Sequence, residues 1–468
     1  MPSPSRVHPF NAVQYTAATR GPGADVSAVV APPYDVLDAS GKASLLAVSD
    51  RNIVAADLPH IPAKDLGPPE AYRASAVLLE QWLADGTLAK RERPAMFCYR
   101  ETFEYNDGTH RRTGMACTID VRPFGPAKDG GGGILPHEQT FSGPKEDRLA
   151  LMKATRFQLS PIFGLHPDEK GRSANLLTRI CEARQPDATA TTADGTRHEL
   201  WTIDDEATIA AYRDVLAGED IFIADGHHRY NTSLNYLHAL EAEAKSRGEK
   251  VPVDHPARRC MFVLVSMSDK GLVIGPTHRV LGGMTNYSFH AFARECVGEL
   301  FITPLAEKGE EALRSIEQAM TKGAKKSGKN VLGLYDFASR CAYLATPVDA
   351  DPLAFDKRFA GKPREWRTLD VALCQHLIVE KLCQPLAGKK EPIKWAFPHS
   401  IGEVIDIGAG IERGSGGGKG FTPQLAVIVL PTPLEAVRAV SRANELMPQK
   451  STFFYPKLAT GLFINPIG

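Results

Sequence analysis

The sequence predicts an α+β fold, a mixed sheet with flanking helices, and three observations carry that prediction. Short β-branched and aromatic runs alternate with stretches whose apolar residues recur at helical spacing. Asn106-Asp107-Gly108 lies between two strand-like runs, a strong signal for a hairpin and so for antiparallel pairing. Ile221-Phe222-Ile223-Ala224 stops at Asp225-Gly226 and a helical pattern starts at once, which reads as strand, tight turn, helix. The mixture argues against an all-α or a purely doubly wound design.

Taken in order, 26–30 reads as a strand leading into Ala31-Pro32-Pro33-Tyr34-Asp35, where paired prolines impose an extended approach that holds Tyr34 and Asp35. A helix is expected over 70–85, ended by Asp85-Gly86, and the hairpin strands over 95–100 and 112–119. The glycine run 130–133, after Asp129, lacks the Gly-Lys-Ser/Thr ending of a P-loop and reads as a mobile loop. Pro144 suits the first position of a helix, which places Lys145, Asp147 and Arg148 in its opening turn. Strands at 160–166 and 198–203 flank a helix near 173–184, and a further helix covers 206–216.

The helix after Gly226 carries Tyr230, Leu234, Leu237, Leu240 and Ala244 on one face and ends near Gly248. Residues 260–267 are apolar on both faces, so they read as a central strand, expected beside 220–224. Thr277, His278 and Arg279 follow a strand at 272–275. Beyond Tyr287, helices near 287–299, 309–322 and 368–386 alternate with strands at 331–335 and 343–346. Residues 322–329 read as a basic, glycine-broken loop and 414–420 as a flexible linker. A strand at 425–430 and a helix at 433–446 precede a polar, aromatic block at 447–457. The expected segments are 1–125, an N-terminal α/β part with the hairpin; 126–285, a core; and 286–468, a C-terminal α/β part.

Lys+Arg and Asp+Glu are equal at 55 each and the pI is near 7.2, so no global field draws this chain to nucleic acid or anionic lipid. A nuclease is therefore disfavoured. The eight cysteines include no C-x-x-C pair, which points to reduced thiols in a cytoplasmic protein rather than a zinc ribbon or a disulfide framework. No signal peptide and no run of 18 apolar residues is seen, so no membrane role is expected; a homodimer is.

The chemistry concentrates at Asp225-Gly226-His227-His228-Arg229. The first turn of a helix leaves N–H groups unpaired at the positive end of the macrodipole, and it favours an anion. Gly226 permits close approach, His227 and His228 add donors, and the Arg229 guanidinium matches a phosphate with its planar fork. Asp225 suits an N-cap, a Mg²⁺ ligand or a base. Lys145 and Arg148 are candidate helper cations, and Glu138 or Asp35 a candidate base. Tyr34, Asp35, His137, Thr140, Thr277, His278 and Arg279 are candidate substrate contacts, with His137, Glu138 and Thr140 expected beside Asp225 to Arg229. Lys450, Ser451, Thr452, Tyr455 and Lys457 form a further donor set suited to an anion. A metal-dependent hydrolase using Asp225, His227, His228 and His137 is a second reading, weakened because adjacent helical residues diverge by about 100°.

The five-residue signature resembles that of the ParB/sulfiredoxin-like superfamily, which includes free-serine kinases, nucleotide-hydrolysing partition proteins and sulfiredoxins. The blocks Pro32-Pro33-Tyr34-Asp35-Val36, His137-Glu138-Gln139-Thr140, Pro276-Thr277-His278-Arg279 and 447–458 resemble, in order, those of a prokaryotic family known as domain of unknown function ten-fifteen. The resemblance implies a ParB/sulfiredoxin-like core elaborated by N- and C-terminal α/β segments. It further implies a nucleotide-dependent phosphotransferase acting on serine or a similar hydroxy metabolite, with ATP or ADP and Mg²⁺. A phosphatase, for example of phosphoserine, and a non-catalytic nucleotide or metabolite sensor are the alternatives. No zinc, haem or iron–sulfur site is indicated.

Overall fold

A computed structural model describes residues 6–62, 65–106, 108–127, 132–138, 142–388, 392–411 and 420–468. Asp107, Thr140 and most of the two glycine-rich stretches, 129–131 and 414–419, lie outside the described residues. The chain forms two compact units, one of Met1–Pro136, Thr140–Val273 and Pro456–Gly468, the other of His137–Gln139 and Ile274–Tyr455.

The first unit is built on a nine-stranded mixed sheet. Its strands in chain order are β1 (Val7–His8), β2 (Met96–Tyr105), β3 (Gly108–Asp120), β4 (Ile134–Leu135), β5 (Ile162–His166), β6 (Ala188–Thr191), β7 (Arg197–Ile203), β8 (Ile221–Asp225) and β9 (Arg259–Ser266). They lie in the order β4-β8-β5-β9-β3-β2-β7-β6, with β1 also paired to β3. The hairpin signal is borne out, since β2 and β3 pair antiparallel from Phe97↔Ala116 to Tyr105↔Gly108. The unit's helices include α1 (Pro69–Ala84), α2 (Ser142–Thr155), α3 (Arg172–Ala183), α4 (Glu206–Val215) and α5 (His227–Ser246). Leu177 of α3, Ile209 and Tyr212 of α4 and Tyr230 of α5 share one buried cluster with Met96, Cys117, Trp201, Ile221, Ile223 and Phe262 of the sheet.

Two sequence expectations for this unit need correction. β8 and β9 are not neighbours: β5 lies between them, antiparallel to β8 and parallel to β9. All three strands are buried along most of their length, and apolar runs this uniform say nothing about which strand sits next to which. Residues 26–30 form no strand, because Val29 and Val30 both return their N–H groups to the Val26 carbonyl and the valines are buried in a turn instead.

Residues 456–468 complete the first unit from the far end of the chain. Asn465–Pro466 pairs with Phe157–Gln158, Ile464 bridges Val13, and Thr460 bridges Ala31. Ile464 and Ile467 are fully buried.

The second unit holds a six-stranded antiparallel sheet of β10 (Arg279–Gly282), β11 (Leu300–Lys308), β12 (Leu332–Asp336), β13 (Cys341–Pro347), β14 (Lys394–Ala396) and β15 (Pro423–Ile428), in the order β11-β13-β12-β15-β10-β14. Helix α6 (Gly309–Ser327) packs Leu313, Ile316 and Met320 in a cluster with Ala426 and Ile428 of this sheet. It runs through most of the stretch read as a basic loop. The buried positions recur at helical spacing, the lysines occupy the outer face, and the helix stops only at Gly328, whose φ of 64° closes it. The expected helix at 368–386 is present in altered form, as Asp370–Ala372 followed by a π-helical stretch, Leu373–Cys383. Among the described residues no helix is long and apolar enough to cross a membrane.

Gly164 in β5 shows how closely the first sheet is filled. A Cβ there would lie 2.7 Å from Leu264 Cδ2 and 2.9 Å from Phe262 Cδ1. Gly164→Ala is expected to lower unfolding stability by about 1–3 kcal/mol through overpacking, read as a reduced midpoint in urea with an unchanged slope. A neutral result would mean that the β9 side chains have room to retreat.

Candidate functional site

The junction between β8 and α5 is formed as the sequence predicts, a strand ending at Asp225 and a helix beginning at His227. Gly226 has φ 94°, a left-handed conformation that favours glycine, and a Cβ there would lie 3.2 Å from the Arg229 guanidinium. No side chain among the described residues caps the helix through this position. The Asp225 carboxylate instead takes Lys457 Nζ on Oδ1 at 2.6 Å and Arg229 Nη2 on Oδ2. Burial opposes its ionisation, but Lys457 and Arg229 outweigh burial and hold it well below the usual carboxylate range. Arg229 also donates through Nη1 to the Pro161 carbonyl. Burial works against its charge too, and Asp225 and Asp35 more than compensate.

Beneath this turn lies a cavity of about 40 Å³ lined by Tyr34, Asp57, Arg148, Ser160, Arg229 and Ser233 among others. That is room for a few water molecules but not for a nucleotide. Arg148 stacks its guanidinium 4.0 Å over the Tyr34 ring, donates to the Asp57 carbonyl at 2.6 Å, and pairs with Asp147 at 2.6 Å. Asp147 is fully buried and also meets His60 Nε2 at 2.6 Å and the Tyr72 hydroxyl at 2.7 Å. Asp57 accepts from Ser160 Oγ at 3.0 Å, and burial raises its carboxyl despite Arg148. Asp35 leaves a buried Oδ1 without a hydrogen-bond partner among the described residues.

Three separately predicted segments therefore meet in the first unit: Tyr34 with Asp35, Arg148 from the start of α2, and Asp225 to Arg229. His227 is buried and His228 half-buried in the opening turn of α5. Lys145 is half-buried in the first turns of α2. Asp57, Ser160, His60 and Tyr72 were not anticipated, because a lone polar residue in an otherwise ordinary stretch carries no local signal. Lys457 was noted as a donor, but its partner lies 232 positions away.

The remaining candidates belong to the second unit. His137 Nε2 lies 2.8 Å from Thr452 Oγ1, and Glu138 Oε1 accepts the Lys450 N–H at 2.9 Å. Thr277 Oγ1 lies 3.2 Å from His399 Nδ1. His278 is fully buried and burial lowers its imidazole to about 3, so it stays neutral, with Nδ1 taking the Val429 N–H at 3.3 Å. Arg279 donates to the carbonyls of Gln449 and Lys450 at 3.1 and 3.0 Å and lies over the Phe397 ring. These blocks converge with one another, and their donors hold the 447–455 segment in place. Thr140 lies outside the described residues.

As a metal site the motif fits poorly. Both Asp225 oxygens already receive cations, and among the described residues no group of three or more His, Cys, Asp or Glu side chains is gathered closely enough for an ion.

A family model described as "Protein of unknown function (DUF1015)" matches residues 7–372. None of the curated proteins matches the chain. Among solved structures, a free serine kinase in complex with AMP is similar at 13% identity and a TM-score of 0.32, over 72% of this chain and 86% of that one. A conserved hypothetical protein from Pyrococcus furiosus is similar at 12% identity and a TM-score of 0.31, over 72% and 90%. SbnI with a C-terminal truncation, from Staphylococcus aureus, is similar at 9% identity and a TM-score of 0.30, over 74% and 85%. Likenesses at this level leave the chemistry to be argued from the site.

Removing Lys457 tests the charge balance at Asp225. A carboxyl held below its ordinary value adds stability above its unfolded-state value of about 4, and that stability is lost as pH falls through the lower folded value. Lys457→Met is therefore expected to cost about 1–3 kcal/mol near neutral pH, with the difference from the parent shrinking as the solution is acidified. Denaturant melts across a pH series check this, and a difference independent of pH would show that Lys457 contributes by packing alone.

Proposed function

We propose that this chain, which belongs to that family of unknown function, is a small-molecule phosphate-handling enzyme, a nucleotide-dependent phosphotransferase acting on serine or a similar hydroxy metabolite. The observation that carries this reading is the meeting of Tyr34, Arg148 and Arg229 in the wall of one cavity, so that two buried guanidinium groups from separate segments converge there, with Arg229 paired to Asp225. A helix start with no side-chain cap among the described residues, Arg229 and Lys457 bring positive charge to this turn, and the two histidines add ring nitrogens suited to phosphoryl oxygens. Phosphoryl transfer asks little else of a protein beyond alignment and a proton acceptor.

In this reading the substrate hydroxyl gives its proton to Asp35, the acceptor with an unused buried oxygen, as its oxygen attacks the phosphorus and the nucleotide oxygen leaves. Glu138 is the weaker candidate for that role, because its carboxylate already takes the Lys450 N–H. Mg²⁺, if used, would be held chiefly by the nucleotide phosphates, since among the described residues no carboxylate cluster is gathered to hold it. The cavity admits no nucleotide, so the nucleoside lies outside it and only the transferred group approaches Arg229.

Incubation with ATP or ADP, Mg²⁺ and a panel of hydroxy-amino acids, followed by phosphorus NMR, is expected to show a new phosphate ester and matching loss of nucleotide. Release of inorganic phosphate from the phosphorylated amino acids alone would assign a phosphatase, and binding without turnover a sensor. No change with any of them overturns the proposal. Arg229→Lys keeps a cation beside Asp225 but cannot reach both Asp225 and the Pro161 carbonyl. It is expected to weaken phosphate binding by about 1–3 kcal/mol. Intact affinity with a strongly lowered melting temperature would make Arg229 a structural ion-pair partner only.

A further inference from the structure

Cys98 in β2 and Cys181 in α3 stand 83 positions apart in the chain, yet their sulfurs are 3.5 Å apart. Their surroundings differ. Cys98 is fully buried, with its other contact the Leu177 carbonyl at 3.9 Å, whereas Cys181 is partly exposed to solvent. Two arginines stand close: Arg100, whose guanidinium lies over the Trp201 ring, and Arg184, one residue beyond the end of α3. Among the described residues, no other thiol has a second sulfur within hydrogen-bonding reach.

We propose that Cys98 and Cys181 form a peroxide-oxidisable dithiol, in which Cys181 reacts with a hydroperoxide and Cys98 then closes the disulfide. The division of roles follows from the environments. The hydrogen bond from Cys98, with Arg100 nearby, lowers the Cys181 thiol, which favours ionisation at the one of the two sulfurs that an oxidant can reach. Burial raises Cys98, which keeps its proton until its neighbour has changed.

The electrons balance in two steps. The Cys181 thiolate attacks one peroxide oxygen, an S–O bond forms as the O–O bond breaks, and the departing oxygen leaves as hydroxide or alkoxide. Cys181 is then a sulfenic acid, oxidised by two electrons. Cys98 attacks that sulfur, an S–S bond forms, the S–O bond breaks, and the hydroxyl leaves with the Cys98 proton as water. The sum is two thiols and one peroxide giving one disulfide and two molecules of water, or water and an alcohol. Closure needs the sulfurs to approach by about 1.5 Å, from contact to bonding distance, which a rotation about the side-chain bonds at the solvent-facing residue can supply.

The test treats the full chain in its native state with stoichiometric hydrogen peroxide, then denatures it, alkylates it and reads intact and peptide masses. The expected result is loss of two hydrogens, with the Cys98 and Cys181 peptides joined and released by dithiothreitol. Cys98→Ser is expected to stop at a sulfenic acid on Cys181 that dimedone traps, while Cys181→Ser leaves Cys98 open to alkylation. Cys341, also partly exposed, serves as the internal standard and is expected to react more slowly than Cys181. The proposal is overturned if both thiols remain alkylatable after Cys341 has been consumed, or if Cys181 in the unsubstituted chain runs on to sulfinic acid without forming the link.

Discussion

The Asp225 carboxylate receives Lys457 on one oxygen and Arg229 on the other, so the end of a core strand, the first turn of a helix and the C-terminal segment meet at a single charge. Each of the three is largely desolvated, and a buried charge is tolerable only when paired. Asp225 thereby fixes the positions of both cations, with Asp35 a further negative charge acting on Arg229. Asp147 plays the same part for Arg148, holding its fork while His60 and Tyr72 occupy the other oxygen.

Much of this was legible in the sequence where the signal is local. The strand at 221–224, the turn at Gly226 and the helix from His227 follow from a short apolar run, a glycine and helical spacing, and the hairpin follows from its Asn-Asp-Gly turn. What was not legible is what depends on partners far away in the chain. β5 entered between β8 and β9 because three equally apolar strands carry no address. The valines of 26–30 have strand chemistry, yet buried turns take apolar residues as readily as strands do. Gly323 and the surrounding lysines suggested a loop, and the burial of Ile316 and Met320 on the sheet overrode that local preference.

The polar blocks of the second unit show a related limit. Residue type announces a donor or an acceptor, but not whether its partner is a ligand or the backbone. Arg279 looks like an anion-binding residue and spends its guanidinium on four carbonyls of the chain itself, and Glu138 caps a backbone N–H. A buried arginine over an aromatic ring and satisfied by carbonyls is a way of fixing an irregular stretch such as Gln449–Lys450. Asp35 differs in that, among the described residues, its buried Oδ1 accepts no hydrogen bond.

The return of residues 456–468 to the first unit has a consequence for how the protein is made. That segment supplies Ile464 and Ile467 to the interior and Lys457 to Asp225, and the whole of 274–455 separates it from the rest of its own unit. During synthesis, the nine-stranded sheet emerges before 456–468 and must wait for that segment, with the apolar surface that Ile464 and Ile467 cover exposed and Asp225 still lacking Lys457. The second unit can form in that interval from contiguous chain, apart from His137–Gln139. A fragment cut after Val273 would hold every strand of the large sheet and still lack the piece that closes it.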